Sequence, residues 1–378
     1  MTQSFEEKAK ELLSLANICV NGSQPRDIQV HNTDLYARVL SKGSIGLGES
    51  YMDGWWDCKN LDQFFYKLIS SKLDEKVTAS SLVFHILKSK VSNQQKKSKA
   101  FHIGEKHYDL GNDLYQFMLD KRMAYTCGYW KDASTLDQAQ EAKLDLVCKK
   151  LNLKKGDKIL DIGCGWGSFM KYASEKYKVS CVGITVSKEQ IELGKKLCKG
   201  LPIEFKLIDY RDLMASKYKD KFDHVVSLGM FEHVGYKNYE KYMKIVHHVM
   251  KDDGLFLLHT IGGNISRVTS DQWISKYIFP NSMLPSITQI ASSIEKIFII
   301  EDLHNFGADY DKTLMAWYHN FDKNWKELER TGLYDERFKR MWKYYLLSCA
   351  GLFRVRKTQL WQIVLSKNGV KDGYISVR

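Results

Sequence analysis

The sequence predicts an α/β fold in which a largely parallel sheet is flanked by helices and preceded by a small, mainly helical N-terminal domain. From about residue 137 onwards, short apolar strands alternate with helical segments, which is the order in which βαβ units build a parallel sheet. A turn with three glycines, Asp161-Ile-Gly-Cys-Gly-Trp-Gly167, follows the first of these strands and opens a helix. Residues 1–75 contain mostly short helical stretches, which indicates a separate unit.

The apolar periodicity places the individual elements along the chain. The predicted helices cover residues 5–16, 34–40, 61–72, 138–151, 167–176, 188–197, 239–250, 311–328 and 336–352. The predicted strands cover residues 158–162, 179–184, 203–207, 222–227, 254–259 and 359–365. The segment 265–320 interrupts this alternation with aromatic, loop-like sequence. We therefore divide the chain into an accessory domain (1–75), a polar and basic linker (76–100) and a large C-terminal domain (101–378).

The composition indicates a folded protein of a reducing compartment. The apolar share is 44% and there are only 4 prolines, which argues against a long disordered region. The 8 cysteines are scattered without a Cys-x-x-Cys pair, so we expect free thiols and neither a disulfide framework nor a metal site. The N-terminus predicts an amphipathic helix and not a signal peptide, and no apolar run reaches the ~20 residues of a membrane span. These features predict a cytoplasmic protein.

The charge balance favours an anionic partner. Lysine and arginine number 57 against 45 acidic residues, a formal net charge of +12. Such a surface attracts either nucleic acid or an anionic membrane face, although a generic solvated surface would have the same composition.

The glycine-rich turn is the most informative motif. Gly163, Gly165 and Gly167 permit a tight turn and let a ligand lie against bare backbone. The spacing Gly-x-Gly-x-Gly after Asp161 resembles the first motif of class I methyltransferases that use S-adenosylmethionine, whereas dinucleotide sites have Gly-x-Gly-x-x-Gly. The second strand of such folds usually ends in an acidic residue, but here Thr185 and Gln190 are the candidates for neutral hydrogen bonds to the cofactor.

Two further polar residues lie at the ends of the predicted strands 222–227 and 254–259. Glu232 and His259 come at the carboxyl ends of these strands, where parallel sheets bind ligands. A carboxylate and an imidazole at that edge could transfer protons. The structural alternatives are a helix-start residue for Glu232 and a backbone-satisfied strand end for His259; their joint position beside the glycine turn favours a functional role.

Six motifs in order make the resemblance specific to a family. The chain resembles cyclopropane-fatty-acyl-phospholipid synthases over roughly 101–365, and 1–75 is similar to their accessory domain. The motifs are Tyr125-Thr-Cys-Gly-Tyr-Trp130, Asp161-Ile-Gly-Cys-Gly-Trp-Gly167, Gly229-Met-Phe-Glu-His-Val-Gly235, Leu258-His-Thr-Ile-Gly262, Lys276-Tyr-Ile-Phe-Pro280 and Asn305-Phe-Gly-Ala-Asp-Tyr-Asp311.

The resemblance implies a reaction and its cofactors. The family adds a methyl from S-adenosylmethionine to a cis double bond of a phospholipid acyl chain, and a bound bicarbonate removes a proton so that a cyclopropane closes. Residues 101–378 would then be the catalytic domain with an acyl-chain pocket. The implied bicarbonate site is formed by Cys127, Glu232, His259, the backbone of Ile261, and Tyr310. The implied S-adenosylmethionine site is formed by Tyr125, Thr126, Asp161, Gly163, Gly165, Gly167, Thr185, Gln190, Arg211 and Asp212.

Cys349 matches a cysteine that has been considered catalytic in this family. Because a carbocation needs no thiolate nucleophile, Cys349 is more consistent with a lining of the acyl pocket than with chemistry. The same resemblance implies a homodimer that associates peripherally with the anionic inner face of the membrane.

Three alternatives remain open from the sequence. A related lipid methyltransferase could leave a methyl-branched or methylene chain without ring closure. A nucleic-acid methyltransferase would fit the charge, but Met230-Phe-Glu-His233 stands where such enzymes often have an Asn/Asp-Pro-Pro-Tyr/Phe motif, so we expect no nucleic-acid partner. A lipid-binding protein without turnover would not need Glu232, His259 and Tyr310 together.

Overall fold

The computed structural model describes residues 4–73 and 111–378. All of the expected linker, 76–100, lies outside the described residues. The chain divides into two compact units, and both are assembled from separated stretches of sequence. Within the described residues, unit 1 comprises 4–73, 268–280 and 314–358, and unit 2 comprises 111–267, 281–313 and 359–378. From the sequence we expect 101–378 to be one domain, whereas two stretches of it, 268–280 and 314–358, group with the N-terminal residues.

Unit 1 is mainly helical. Its N-terminal part consists of α1 (Phe5–Ser14), β1 (Ile28–Val30), α2 (Asp34–Lys42), α3 (Ser44–Met52), β2 (Trp56–Cys58) and α4 (Leu61–Ser70), and β1 pairs antiparallel with β2.

Two later stretches of the chain complete unit 1. One of them contains a helix over Glu336–Arg354, which packs on α4. A Cβ added to Gly351 of this helix would lie 2.8 Å from Phe65 Cβ on α4. A Cβ on Gly48 would lie 2.3 Å from the Trp273 ring. The later stretches therefore pack on α3 and α4 so closely that only glycine fits at these contacts.

Unit 2 is built on a seven-stranded sheet in the order β5-β4-β3-β6-β7-β9-β8. The pairs β3–β4, β4–β5, β3–β6 and β6–β7 are parallel, and β8 pairs antiparallel with β9. The strands are β3 (Lys158–Ile162), β4 (Ser180–Thr185), β5 (Ile203–Leu207), β6 (Phe222–Leu228), β7 (Met250–Gly263), β8 (Ile299–Asn305) and β9 (Thr358–Ser366). The predicted α/β fold with a parallel sheet is confirmed.

The remaining helices are numbered in chain order after α4. They are α5 (Asn112–Met118), α6 (Leu136–Lys150), α7 (Ser168–Tyr177), α8 (Lys188–Leu197), α9 (Tyr239–Val249), α10 (Gln272–Tyr277), α11 (Ile287–Ile294), α12 (Ala308–Lys323), α13 (Trp325–Arg330) and α14 (Glu336–Arg354). Short 3₁₀ turns lie at Tyr210–Met214, Ser216–Tyr218, Phe231–His233 and Tyr236–Asn238.

Alternating residues of the strands supply two separate apolar cores. Leu160 and Ile162 of β3 belong to one core with Phe256 and Leu258 of β7, whereas Ile159 belongs to the other. Successive strand residues point to opposite faces, so helices cover both faces of the sheet. This arrangement leaves the carboxyl ends of the parallel strands as the open edge at which a site can form.

The loop-like interpretation of 265–320 is wrong. This segment contains α10, α11, β8 and the first turns of α12. Strand β8 has exposed apolar residues, among them Ile299, and an irregular burial pattern, because it lies at the edge of the sheet and pairs only with β9. Its sequence therefore has neither the apolar run nor the strict alternation by which a strand is recognised.

Candidate active site

A cavity of about 180 Å³ lies in unit 2 at the carboxyl ends of β3, β4 and β6. Eight of the predicted cofactor residues line it: Tyr125, Thr126, Asp161, Gly163, Gly165, Thr185, Gln190 and Arg211. Gly167 and Asp212 are not on its wall, whereas Asp209, Lys143 and His233, which the sequence analysis did not select, are.

The glycines of the turn have different functions in the structure. All three have positive φ, at +85° for Gly163, +53° for Gly165 and +86° for Gly167. A Cβ on Gly165 would meet no atom within 4 Å, whereas one on Gly167 would lie 2.7 Å from the Phe205 ring. Gly165 thus leaves backbone bare at the cavity, and Gly167 lets α7 start close against β5.

The end of β4 carries neutral polar groups, as the sequence indicates. The Thr185 hydroxyl donates to Gln190 Oε1 at 2.8 Å, and Ser187 caps α8 by accepting from the Gln190 amide at 3.3 Å. Both Thr185 and Gln190 are buried. The cap fixes the start of α8 and therefore the position of Gln190 on the cavity wall.

The acidic group at the end of β5 is Asp209. Its carboxylate accepts from Arg211 Nη1 at 2.8 Å and from the Arg211 amide at 2.9 Å. This pairing directs Arg211 along the wall, while Asp212 lies further along the 3₁₀ turn. Both aspartates belong to the sequence Asp209-Tyr-Arg-Asp212, so only the turn geometry distinguishes them.

Asp161 is almost completely buried at the end of β3. It is 2% exposed, and its Oδ1 has no hydrogen-bond partner among the described residues. Burial raises the pKa of its carboxyl to about 7, and the charge of Lys143 opposes this rise. The Lys143 ammonium donates to Thr126 Oγ1 at 2.7 Å, and its burial lowers its pKa to about 8.

Glu232 follows β6 and contacts β7 directly. Its Oε1 accepts from the Ile261 amide at 2.6 Å, and Met283 donates its amide to the Glu232 carbonyl at 2.8 Å. The other oxygen, Oε2, is buried and makes no hydrogen bond to a described residue. Burial raises the pKa of the Glu232 carboxyl to about 7, against the opposing effect of the Ile261 amide.

His259 lies two residues before Ile261 on β7 and is 1% exposed. The Gln362 side-chain nitrogen lies 3.3 Å from His259 Nδ1, and donation from this amide leaves the ring proton on Nε2. No described residue pairs with that Nε2. Burial, together with the charges of Lys143 and Lys150, holds the pKa of His259 well below its usual range, so the imidazole is neutral.

Cys127 and Tyr310 lie in two segments that are joined to each other. The Cys127 thiol is 3.8 Å from Thr313 Oγ1, which also accepts from the Trp130 indole at 2.9 Å, and Asp309 accepts from the Trp130 amide at 2.8 Å. Tyr310 is buried on the same first turns of α12. Burial raises the pKa of Cys127 well above its usual value, so Cys127 is present as a thiol.

The structure thus brings Glu232 and Ile261 into contact, sets His259 on the same strand, and joins the Cys127 segment to α12. Cys349 belongs to the other compact unit. It lies on α14, a helix of unit 1, and burial raises the pKa of its thiol to about 12. A thiol with this pKa is a poor nucleophile at neutral pH.

Two negative findings concern the described ranges. In residues 4–73 and 111–378, no group of three or more His, Cys, Asp or Glu side chains could hold a metal ion. No helix in these ranges is long and apolar enough to cross a membrane.

Comparisons with known proteins give the family. Residues 95–363 match the family model of mycolic acid cyclopropane synthetase. The chain is 52% identical to the cyclopropane-fatty-acyl-phospholipid synthase of Escherichia coli K12, over 97% of this chain and 94% of that protein. It is 34% identical to sphingolipid C9-methyltransferase 2 of Gibberella zeae, over 69% of this chain and 52% of that protein.

A solved structure agrees in fold and sequence. The mycolic acid cyclopropane synthase CmaA1, complexed with SAH and CTAB, superposes with a TM-score of 0.64 at 31% identity, covering 71% of this chain and 98% of that chain. With the sheet, the glycine turn and the cavity already described, these similarities show that the chain is an enzyme of the mycolic acid cyclopropane synthetase family, whose members have the S-adenosylmethionine-dependent methyltransferase fold.

Proposed function

We propose that this enzyme converts the cis double bond of an unsaturated acyl chain, within a membrane phospholipid, into a cyclopropane. The observation that carries the proposal is the pairing of Glu232 with the Ile261 amide beside His259, at the same sheet edge as the cavity around Asp161. Methyl addition to a carbon–carbon double bond must be followed by loss of a proton, and buried polar groups at this edge could direct that transfer. The 52% identity to a cyclopropane-fatty-acyl-phospholipid synthase supports the same reaction.

The cavity fits S-adenosylmethionine. Bare backbone at Gly165, the start of α7, the orphaned Asp161 Oδ1 and the Thr185–Gln190 pair offer a binding surface for a molecule with hydroxyl, amino and carboxylate groups. When bound, this cofactor supplies an electrophilic methyl group. The residues of the chain bind it, orient it towards the lipid and exclude water.

Glu232 and His259 fit a small anion such as bicarbonate. Each has a buried polar atom without a partner among the described residues, Oε2 and Nε2 respectively. A protonated Glu232 and a neutral His259 with its proton on Nε2 are both hydrogen-bond donors to an anion. When bound, bicarbonate supplies a base. We assign Glu232 and His259 to hold the bicarbonate. Tyr310 on α12 and Cys127, in the segment bonded to α12, contribute further contacts. Ile261 acts through Glu232, because its amide already donates to the Glu232 side chain.

The chemistry explains why weakly nucleophilic side chains are suitable. Addition of a methyl group to an alkene leaves a cation on the acyl chain, and loss of one proton from the new methyl closes the ring. A thiolate or a free imidazole near the cation would trap it by addition. The raised pKa of Cys127 and the burial of His259 Nε2 are consistent with a site that avoids such trapping.

The decisive experiment is lipid analysis after expression in a host that lacks such enzymes. We expect phospholipid acyl chains one CH₂ heavier than the unsaturated chains and resistant to ozone, and none in cells that express E232Q. A heavier product that ozone still cleaves would contradict ring closure.

The second candidate is methyl transfer without ring closure, which leaves a branched or methylene chain. It is favoured by the similarity to a sphingolipid C9-methyltransferase. Mass spectrometry after ozone treatment distinguishes the two candidates, since only the ring survives without a double bond.

We further propose that the enzyme acts as a homodimer in the cytoplasm and associates with the anionic inner membrane face. The net charge of +12 supports the membrane association, because each lysine or arginine near an anionic surface contributes ~1 kcal/mol of attraction. Flotation with vesicles that contain or lack anionic phospholipid tests the association. Light scattering on the purified chain tests the dimer.

A further inference from the structure

Lys143 is a buried cation on the cavity wall to which the mechanism above gives no role. Its side chain is 1% exposed and lies on a face of α6 that also buries Ala139 and Val147. Burying an ammonium is costly even when it is paired, and an apolar side chain of similar size is often as stable. A cation kept in such a position beside a ligand cavity indicates a function and not packing alone.

The contacts of α6 show what Lys143 holds. Its Nζ donates to Thr126 Oγ1 at 2.7 Å, and Gln140 Nε2, three residues earlier on the helix, donates to the Thr126 carbonyl at 2.7 Å. The helix therefore holds Thr126 through its side chain and its backbone. Thr126 lines the cavity and stands between Tyr125 and Cys127 in the sequence, so this contact also sets the position of both neighbours.

The charges around Lys143 show the second effect. Asp161 lies next to the cavity with an unpartnered Oδ1, and Lys143 is the cation that favours its ionised form. Asp120 is a second buried carboxyl within the field of Lys143. Without the ammonium, two buried carboxylates would be left unbalanced, and a proton would be the simplest way to neutralise Asp161. The titratable groups that face Lys143 or Asp161 are Asp120, Cys127, Cys164, Cys181, Tyr242 and His259.

We propose that Lys143 is a positioning residue for S-adenosylmethionine. Lys143 fixes Thr126 and keeps the Asp161 carboxylate charged beside the cationic cofactor. The ammonium and sulfonium groups of that cofactor are attracted to an ionised carboxylate and not to a protonated one. The inference rests on S-adenosylmethionine occupying this cavity and is independent of which lipid is methylated.

Calorimetric titration of the full chain with S-adenosylmethionine over a range of pH tests the proposal. For K143M we expect about tenfold weaker binding near neutral pH. We also expect the pH at which the affinity rises to increase by about one unit, since one pKa unit corresponds to a tenfold change. K143Q keeps a donor for Thr126 without the charge, so the pH shift should persist while part of the affinity returns. In a D161N background, K143Q should add little to the loss, because the charge effect on Asp161 is already removed and the donor to Thr126 is kept.

K150M is the matched control, because Lys150 is also a buried lysine on α6 but does not line the cavity. We expect it to change thermal stability and to leave S-adenosylmethionine affinity as it is. Wild-type affinity and pH dependence in K143M, or in K143Q should K143M not fold, would overturn the role of Lys143. Failure of the wild-type chain to bind S-adenosylmethionine would instead overturn the cofactor assignment.

Discussion

The Glu232 carboxylate and the Ile261 amide are joined by a 2.6 Å hydrogen bond between the 3₁₀ turn after β6 and the end of β7. This bond uses Oε1 and leaves Oε2 without a partner in the described part of the chain. One oxygen therefore holds the side chain in place while the other is available to a ligand. The Ile261 amide therefore also fixes the position of the Glu232 side chain relative to His259, which lies two residues before Ile261 on the strand.

We expect E232Q to retain S-adenosylmethionine binding and to lose methyl transfer by about 100-fold or more, the usual contribution of a group that handles a proton. The isosteric amide can still accept from Ile261, so the fold and the cofactor cavity should remain. Calorimetry measures the binding and radiolabelled methyl transfer to lipid vesicles measures the activity. The matched control is E240Q, at an exposed glutamate on α9; activity in E232Q equal to that of E240Q would contradict the role of Glu232.

The stability of the ligand-free enzyme should fall as the pH rises through neutrality. Burial raises the pKa of the Glu232 carboxyl from 4.5 to about 7, so the folded state holds a proton that the unfolded chain has released. The stabilisation is complete below the lower pKa and is lost as the pH passes the higher one, and it amounts to about 3 kcal/mol at most. Thermal melts should show E232Q more stable than the wild type near pH 8 and similar near pH 5. Parallel melting curves of the two proteins across this range would show that Glu232 does not titrate in this way.

Gln362 should act on the reaction through His259. Its side-chain nitrogen lies 3.3 Å from His259 Nδ1 and sets which ring nitrogen carries the proton. We expect Q362L to reduce kcat about tenfold, as other residues that orient a functional histidine do, and to leave S-adenosylmethionine affinity unchanged. Nitrogen NMR of the labelled imidazole would report the change of tautomer directly, and an unchanged tautomer would rule out this role.

A comparison of two glycines with similar backbone angles distinguishes the cost of backbone strain from the cost of side-chain crowding. Gly167 and Gly156 have φ of +86° and +95°, but a Cβ would lie 2.7 Å from Phe205 only at Gly167. We expect G156A to cost about 1–2 kcal/mol from backbone strain alone, and G167A to cost a further 1–3 kcal/mol from overpacking. Urea denaturation of both variants measures the difference; equal losses would mean that α7 shifts away from β5 at no cost.

C349A should retain most of the methyl transfer activity. Burial raises the pKa of the Cys349 thiol to about 12, so almost no thiolate is present at neutral pH. The measurement is a lipid methylation assay with C127A in parallel, since Cys127 lies in the proposed anion site. Loss of activity in C349A at unchanged S-adenosylmethionine affinity would restore a chemical role for this cysteine.

Local patterns were sufficient to predict much of the fold and the kind of cofactor. The alternation of strands and helices predicted the parallel sheet, and the spacing of Gly163, Gly165 and Gly167 predicted a cofactor turn. Both signals are written in consecutive residues. Strand β8 could not be found in this way, because its exposed residues leave it with neither an apolar run nor a strict alternation.

The residues that the sequence analysis missed at the site are recognisable mainly from contacts made in the folded chain. Lys143 reads as one more charge on a helix until its helix is seen to be buried on that face. Gln362 reads as a strand residue until β9 is placed beside β7. The choice between Asp209 and Asp212 depends on a single 3₁₀ turn. A signal was present only for Lys143, whose spacing from Ala139 and Val147 sets it on the apolar face.

The way unit 1 is assembled has a consequence for synthesis on the ribosome. The ion pair between Asp62 and Arg354 joins residues 292 positions apart, and α4 buries Phe65 against the same late helix. The first helices to be translated therefore cannot complete their core until nearly the whole chain has been made. Contacts of such long range slow folding and leave apolar surface exposed in the nascent chain, so this N-terminal segment is where we expect chaperones to bind.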